Sequence, residues 1–319
     1  MQNSSDQSVR PTNAKAVLAI TLRQIDGLGA VGVTKLLRSY DSLEELQECP
    51  LEQVLVRLRG IPGAATLAAR ILDASLIAEL RRAAERELLE LQEKRIEVVT
   101  AAHPMVSDRM QRLQGRYSSP ILFLYGDTEV LGSSIAATFV VDGGSLSADS
   151  FEHLQRLART VMTSGYPIMT GTRPGADVVL SKIAIASAGQ GGPSSVGVCD
   201  SGLARIDPAF RSTATQIVRS GGALVSPFDM VHGPFDHDLA HRDALMAALG
   251  TVVVYCASSE RPASENTHFQ MLADFCRDRH IPLFILGDKT PDRPDVHPLV
   301  GATDDEWVLA ALSSSRKRQ

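Results

Sequence analysis

The chain has 319 residues, of which 44% are hydrophobic, 22% charged and 5% aromatic, and its formal net charge is −5. Such a length is enough for two domains of an ordinary globular protein. The negative balance excludes a bulk basic field, so any nucleic-acid site has to be a local patch, and the scarcity of aromatic rings argues against base stacking as its main device.

Residues 1–13 are polar and read as a disordered tail. They lack the basic start and apolar core of a signal peptide, and no apolar run approaches the ~20 residues needed to cross a bilayer. A cytoplasmic protein with no membrane contact is the expectation. Cys49, Cys199, Cys256 and Cys276 form no C-x-x-C pair, so neither a zinc site nor a redox pair is expected. Cys199 and Cys256 fall at strand ends and read as small apolar packing groups.

Residues 14–97 have helical apolar spacing broken by two glycine turns, Ile25-Asp26-Gly27-Leu28-Gly29 and Gly60-Ile61-Pro62-Gly63. Each leads into a helix, and the pattern resembles a tandem helix-hairpin-helix (SAM-like) all-α domain. Ser42 is a helix N-cap with Glu45 in the capping-box position. A long helix from about Leu76 to Lys94 closes the domain. Hairpin amides could hold a DNA phosphate, with Lys35, Arg38 and Arg70 adding charge, or the module could serve only for packing. Residues 98–135 read as a connector with edge strands, Ile96–Val99 and Ile121–Gly126.

Residues 136–290 alternate strands (near 137–141, 167–170, 195–199, 223–225, 251–255 and 281–285) with helices (near 148–164, 175–188, 208–220, 240–249 and 264–279). Continuous apolar strands alternating with helices imply an α/β fold, a doubly wound parallel sheet covered on both faces, Rossmann-like in layout. Residues 291–319 are a polar C-terminal tail with a short helix around Trp307-Val308-Leu309.

The glycine-bearing turns of this sheet carry the chemistry. They are Asp142-Gly143-Gly144-Ser145-Leu146-Ser147, Thr170-Gly171-Thr172-Arg173-Pro174-Gly175-Ala176-Asp177, and Cys199-Asp200-Ser201-Gly202-Leu203-Ala204-Arg205. Glycines let backbone amides approach an anion, and a helix N-terminus favours it. Arg173, Lys182, Arg205, Arg211 and Arg242 could add charge; Lys182 could equally be a solvated helix face. Asp177 in the first helical turn can balance the helix dipole. Ser264 reads as a helix cap. His232, His237 and His241 with Asp236 and Asp238 fit no common metal template. No P-loop and no nucleophile elbow is present.

The run Gly221-Gly222-Ala223-Leu224-Val225-Ser226-Pro227-Phe228, then His241-Arg242-Asp243-Ala244-Leu245-Met246-Ala247-Ala248-Leu249-Gly250 and a strand, resembles the DNA-processing protein A family (DprA, or Smf). That family shows G-G-A-L-x-S-E-F, then R-R-N-R-I-I-A-G-L-S. Its S-G-x-A-x-G-I-D turn is matched by Gly171, Gly175 and Asp177, and its V-G-S-R-x-x-S turn by Ser147. Gly144 stands where the family has arginine, and Asp142 where it has glycine. Of the R-R-N-R cations only Arg242 remains, because His241 is mostly neutral at pH 7.

The resemblance implies a binder of single-stranded DNA that hands it to a RecA-type recombinase in transformation, with no catalysis, no cofactor and no metal, and homodimers formed through the sheet domain. The implied DNA or phosphate contacts are Gly143, Gly144, Ser147, Gly171, Arg173, Gly175, Lys182, Gly202, Arg205, Arg211 and Arg242. The family's frequent C-terminal winged-helix domain is not expected. A competing reading is a nucleotide-binding or N-glycosidic nucleotide-hydrolysing protein in signalling or defence, with Glu265 as the candidate acid; Asp142 and the lost arginines favour it. A third is a scaffold that binds only proteins.

Overall fold

A computed structural model describes residues 11–132, 136–287 and 291–316. These fall into two compact units, one within 1–107 and 114–122, the other within 108–113 and 123–319. Residues 1–10 of the expected tail, and the basic Lys317 and Arg318, lie outside the described residues. From Pro11 the chain is already helical, because proline fits the first turn of a helix, where its missing N–H would have had no partner.

The first unit holds α1 (Pro11–Arg23), α2 (Gly29–Leu37), α3 (Leu43–Gln47), α4 (Leu51–Arg57), α5 (Ala64–Ile71), α6 (Ala74–Glu93) and β1 (Ile96–Thr100). Both glycine turns use left-handed backbone, with φ of 85° at Gly27 and 69° at Gly63. The turns bind each other's helices. Lys35 Nζ donates to the Arg59 carbonyl at 2.7 Å, and Arg70 Nη1 donates to the Asp26 carbonyl at 3.0 Å. Ser42 caps α3 by accepting from Glu45 N at 3.1 Å, but Glu45 reaches back to Asp41 N rather than to Ser42 N. α6 starts two residues before the expected Leu76, because Asp73 accepts from Ser75 N and Leu76 N.

The second unit is built on β2 (Ile121–Gly126) from its residue Phe123 onward, with β3 (Ala137–Val141), β4 (Ile168–Thr170), β5 (Val196–Val198), β6 (Ala223–Ser226), β7 (Val252–Cys256), β8 (Leu283–Leu286) and β9 (Val296–Leu299). α7 (Ser107–Met110) precedes β2. α8 (Ala148–Thr163), α9 (Ala176–Ala188), α10 (Arg211–Arg219), α11 (Leu239–Leu249) and α12 (Thr267–Asp278) alternate with the strands, and α13 (Asp305–Arg316) follows β9. The strand order is β2-β6-β5-β4-β3-β7-β8-β9. β2 is antiparallel to β6 and the other pairs are parallel. The α/β doubly wound layout read from the sequence is therefore the observed one. From β3 the chain builds outward to β6, then returns to β7 on the other side of β3. That reversal is the topological switch point, outside whose carboxyl ends open α/β sheets form a crevice.

Phe139, Val252 and Val254 are packed from one face by Leu154, Leu157 and Val161 of α8, and α13 adds Val308 and Leu312 to the same cluster. Phe210, Ile217 and Leu224 form a second cluster with Cys199. Arg109 and Arg112 cap the carboxyl end of α11: Arg109 Nη1 donates to the Leu249 carbonyl, and Arg112 Nη1 to those of Ala248 and Gly250, each at 3.1 Å. Burial brings the Arg109 pKa down to about 10, which leaves it charged at neutral pH. The C-terminal stretch holds more than the expected short helix. β9 extends the sheet edge, where its Pro298 is tolerated, and α13 runs twelve residues.

The glycine pair before β6 is needed for packing. A β-carbon on Gly222 would stand 2.5 Å from the Ser195 carbonyl oxygen. Gly222→Ala is expected to cost about 1–3 kcal/mol, read as a lower midpoint in urea denaturation; an unchanged midpoint would show that β5 and β6 can separate freely here.

Candidate nucleic-acid interface

The loops at the carboxyl edge of β3, β4, β5, β6 and β7 converge on a buried charge network. Arg242, in the first turn of α11, has a side chain only 4% exposed and donates from Nε and Nη2 to Asp243 Oδ1 at 2.8 and 2.6 Å. Burial opposes its charge, but Asp243, Asp177 and Asp200 outweigh that and raise its pKa. Asp177 is itself buried. It accepts from Thr170 Oγ1 at 2.9 Å and from Arg173 N at 3.0 Å. Burial pushes its carboxyl above the ordinary range, against the pull of Arg242. Asp177 thus ties β4 to α9 and does more than balance a helix dipole.

Arg242 is therefore not a surface cation for a phosphate; its charge is spent inside the protein. Its neighbour His241 does not replace it, because burial lowers that imidazole's pKa, with Asp238 opposing. Gly171 lies against the same network: a β-carbon there would stand 2.4 Å from Asp177 Oδ2 and 3.1 Å from Arg242 Nη1.

Arg173 does reach the edge. Its Nε donates to buried Asp200 Oδ2 at 2.6 Å, and its side chain stays 33% exposed. A methyl group on Gly143 would stand 3.9 Å from Arg173 Nη1, so the first and second turns meet at this guanidinium. They enclose a cavity of about 580 Å³ lined by Asp142, Gly143, Gly144, Arg173, Gly175 and Glu260 among others. Gly175 begins α9 with φ 97° and no heavy atom crowds its open side.

Three expected anion contacts are committed otherwise. Gly143 N donates to Asp142 Oδ1 at 2.8 Å. Ser147 caps α8, accepting from Ser150 N and donating to Ser150 Oγ. Gly202 N donates to the His232 carbonyl at 2.9 Å, and its missing side chain lets the Asp229–Met230 backbone pass against it. Gly144 packs on Ser258, where a β-carbon would stand 2.1 Å from Oγ. Lys182 is exposed but lines a separate groove between α8 and α9. Arg205 and Arg211 are exposed beside the β5 edge, and Arg205 Nε donates to the Val231 carbonyl at 3.4 Å.

Sequence reasoning missed several residues. Asn266, rather than Ser264, caps α12 through His268 N and Phe269 N, while its Nδ2 donates to Asp142 Oδ2 at 2.8 Å and to the Tyr255 hydroxyl at 3.1 Å. Burial first, then Asp142, raises the Tyr255 pKa. Glu260 accepts from Ser145 N at 3.2 Å across the switch point, whereas Glu265 is exposed and does not line the cavity. The loop after β6 gathers rings: Phe228 stacks on His232 at 4.7 Å and Phe235 on His237 at 5.4 Å, with Phe235 48% exposed. His232 Nε2 sits 2.7 Å from Asp238 Oδ2. Among the described residues no group of three or more His, Cys, Asp or Glu side chains is arranged to hold a metal ion, and no helix is long and apolar enough to cross a membrane. Cys199 and Cys256 are buried; burial pushes the Cys199 thiol up to about 12.

Removing Arg242 leaves Asp177 and Asp243 buried without their cation. Arg242→Ala is expected to destabilise the fold by about 3–5 kcal/mol, seen as a lower unfolding midpoint. A variant of parental stability that had lost DNA affinity would place the guanidinium at the surface instead.

The family model for DNA recombination-mediator protein A matches residues 97–273. The fold is similar to DNA processing protein A (DprA) from Streptococcus pneumoniae, with a TM-score of 0.64 at 13% identity over 92% of this chain and 95% of that one. It is also similar to the protein from Helicobacter pylori, described by its single-stranded DNA binding mode, with a TM-score of 0.52 at 17% identity over 67% of this chain and 96% of that one. Direct comparison with curated proteins finds no match.

Proposed function

The chain belongs to the DNA recombination-mediator protein A family, and on that premise we propose that it binds single-stranded DNA along the carboxyl edge of its sheet. The observation that carries this reading is the placement of three partly or fully exposed arginines, Arg173 and Arg205 on the loops after the adjacent strands β4 and β5 and Arg211 at the start of α10. Guanidinium groups suit phosphate oxygens, and a row of them fixes a backbone without reading its sequence. The exposed ring of Phe235, on the loop that receives Arg205, offers an unstacked base a face, and base–aromatic stacking favours a single strand over a duplex.

The helical unit is a weaker candidate, since Lys35 and Arg70 hold backbone carbonyls at 2.7 and 3.0 Å, whereas the carbonyl contacts of Arg205 and Arg211 are at 3.4 Å. The reading assigns no reaction. It carries with it a homodimer that lengthens the DNA path, delivery of the strand to a RecA-type recombinase, and action in the cytoplasm.

Binding through a few phosphates weakens with salt by roughly 0.7 log unit of affinity per contact per log unit of salt for single strands. Fluorescence anisotropy with labelled oligothymidine at several salt concentrations is expected to show such a slope. The double variant Arg205→Ala/Arg211→Ala should lower the affinity, and should reduce the salt slope by roughly 1.4 log units of affinity per log unit of salt if each makes one contact. Arg173→Ala alone should cost about 1–3 kcal/mol. A parental slope in the double variant would move the DNA path elsewhere, and no oligothymidine binding at low salt would end the proposal.

A further inference from the structure

The carboxyl edge of the sheet is electrically divided. Beyond β4, toward β5 and β6, it exposes Arg205 and Arg211; at the switch point between β3 and β7 it presents Asp142 and Glu260. The cavity at that switch point has about 580 Å³, a size suited to a small ligand. Its acid wall is built rather than incidental. Asp142 is oriented by Gly143 N on one oxygen and Asn266 Nδ2 on the other, at 2.8 Å each. Asn266 is held in turn by the α12 N-terminus and the Tyr255 hydroxyl. No described lysine, arginine or histidine forms an ion pair with Asp142. A carboxylate has about four acceptor positions, so this one retains capacity for hydroxyl donors. The opposite wall carries Arg173 and the start of α9 at Gly175 and Ala176.

A phosphodiester laid against Asp142 would meet a like charge, and deoxyribose brings no 2′-hydroxyl to offset it. A ribose carries a vicinal diol that a carboxylate accepts, and a phosphate on the same molecule suits the arginine and helix-start wall. We propose that the switch-point cavity binds a phosphorylated ribonucleoside, with its ribose hydroxyls on Asp142 and its phosphate at Arg173 and the first turn of α9, as a ligand site that meets the DNA track only at Arg173.

The inference goes beyond DNA binding and is separable from it. Isothermal titration calorimetry with AMP is expected to show binding, and 2′-deoxy-AMP should bind at least about tenfold more weakly, because a hydrogen bond to a charged acceptor is lost. Asp142→Gly and Asp142→Asn should each lose the AMP signal while binding oligothymidine at least as tightly as the parent, which also shows that the variants fold. Arg205→Ala/Arg211→Ala should do the reverse. Equal affinity for AMP and 2′-deoxy-AMP, AMP binding unaffected in both Asp142 variants, or no heat with AMP, GMP, UMP or CMP would overturn the assignment. AMP binding without oligothymidine binding would sink the DNA reading alone.

Discussion

Arg242 sits in the interior with its charge opposed by Asp243, Asp177 and Asp200, and the loops of the carboxyl edge are arranged around it. Asp177 fixes the turn after β4 through Thr170 and the Arg173 amide, and Asp200 holds the Arg173 side chain from the turn after β5. A buried charge without partners would cost several kcal/mol. The acids are therefore required where they are, and their positions dictate where Arg173 can point. One interior ion network sets the outward geometry of three turns.

The same network divides the edge into functional stretches. Cations free to meet solvent stand beyond it, at Arg205 and Arg211, while Arg173 stands at the border, shared between Asp200 and the cavity. On the other side, the turn after β3 is bound to the loop after β7 through Ser259 N to the Ser145 carbonyl at 2.9 Å, and through Ser145 N to Glu260. That clamp holds the acid wall in place. A net charge of −5 is thus compatible with an anion-binding strip, because the fold segregates its charges along one edge.

The sheet was legible in the sequence because its strands are buried on both faces: Val252 to Cys256, for example, is a continuous apolar run with every residue buried. β9 was not, since Val296-His297-Pro298-Leu299 buries only its two ends and contains a proline. The site was half legible. Gly175 and Arg173 were placed by glycine spacing at a helix start. The role of Arg242 was not, because a sequence shows a cation but not its burial, and the three acids that enclose it come from positions 177, 200 and 243. Asn266 escaped notice for the same reason: its partners, Asp142 and Tyr255, are 124 and 11 residues away.

Asp142 connects these observations. Where the family resemblance leads one to expect glycine, this chain has a carboxylate, and where it leads one to expect arginine it has Gly144 packed on Ser258. An isolated acid substituted into a phosphate-binding turn would simply repel its ligand. Here the acid has acquired support: Asn266 bridges it to Tyr255 while capping α12, and Gly143 turns its amide inward to it. Amides directed at a carboxylate are no longer available to a phosphate, so the change is more than a local loss of affinity. It converts the first turn from an anion receptor into an anion presented to the cavity, and leaves the capture of phosphate to the turns after β4 and β5.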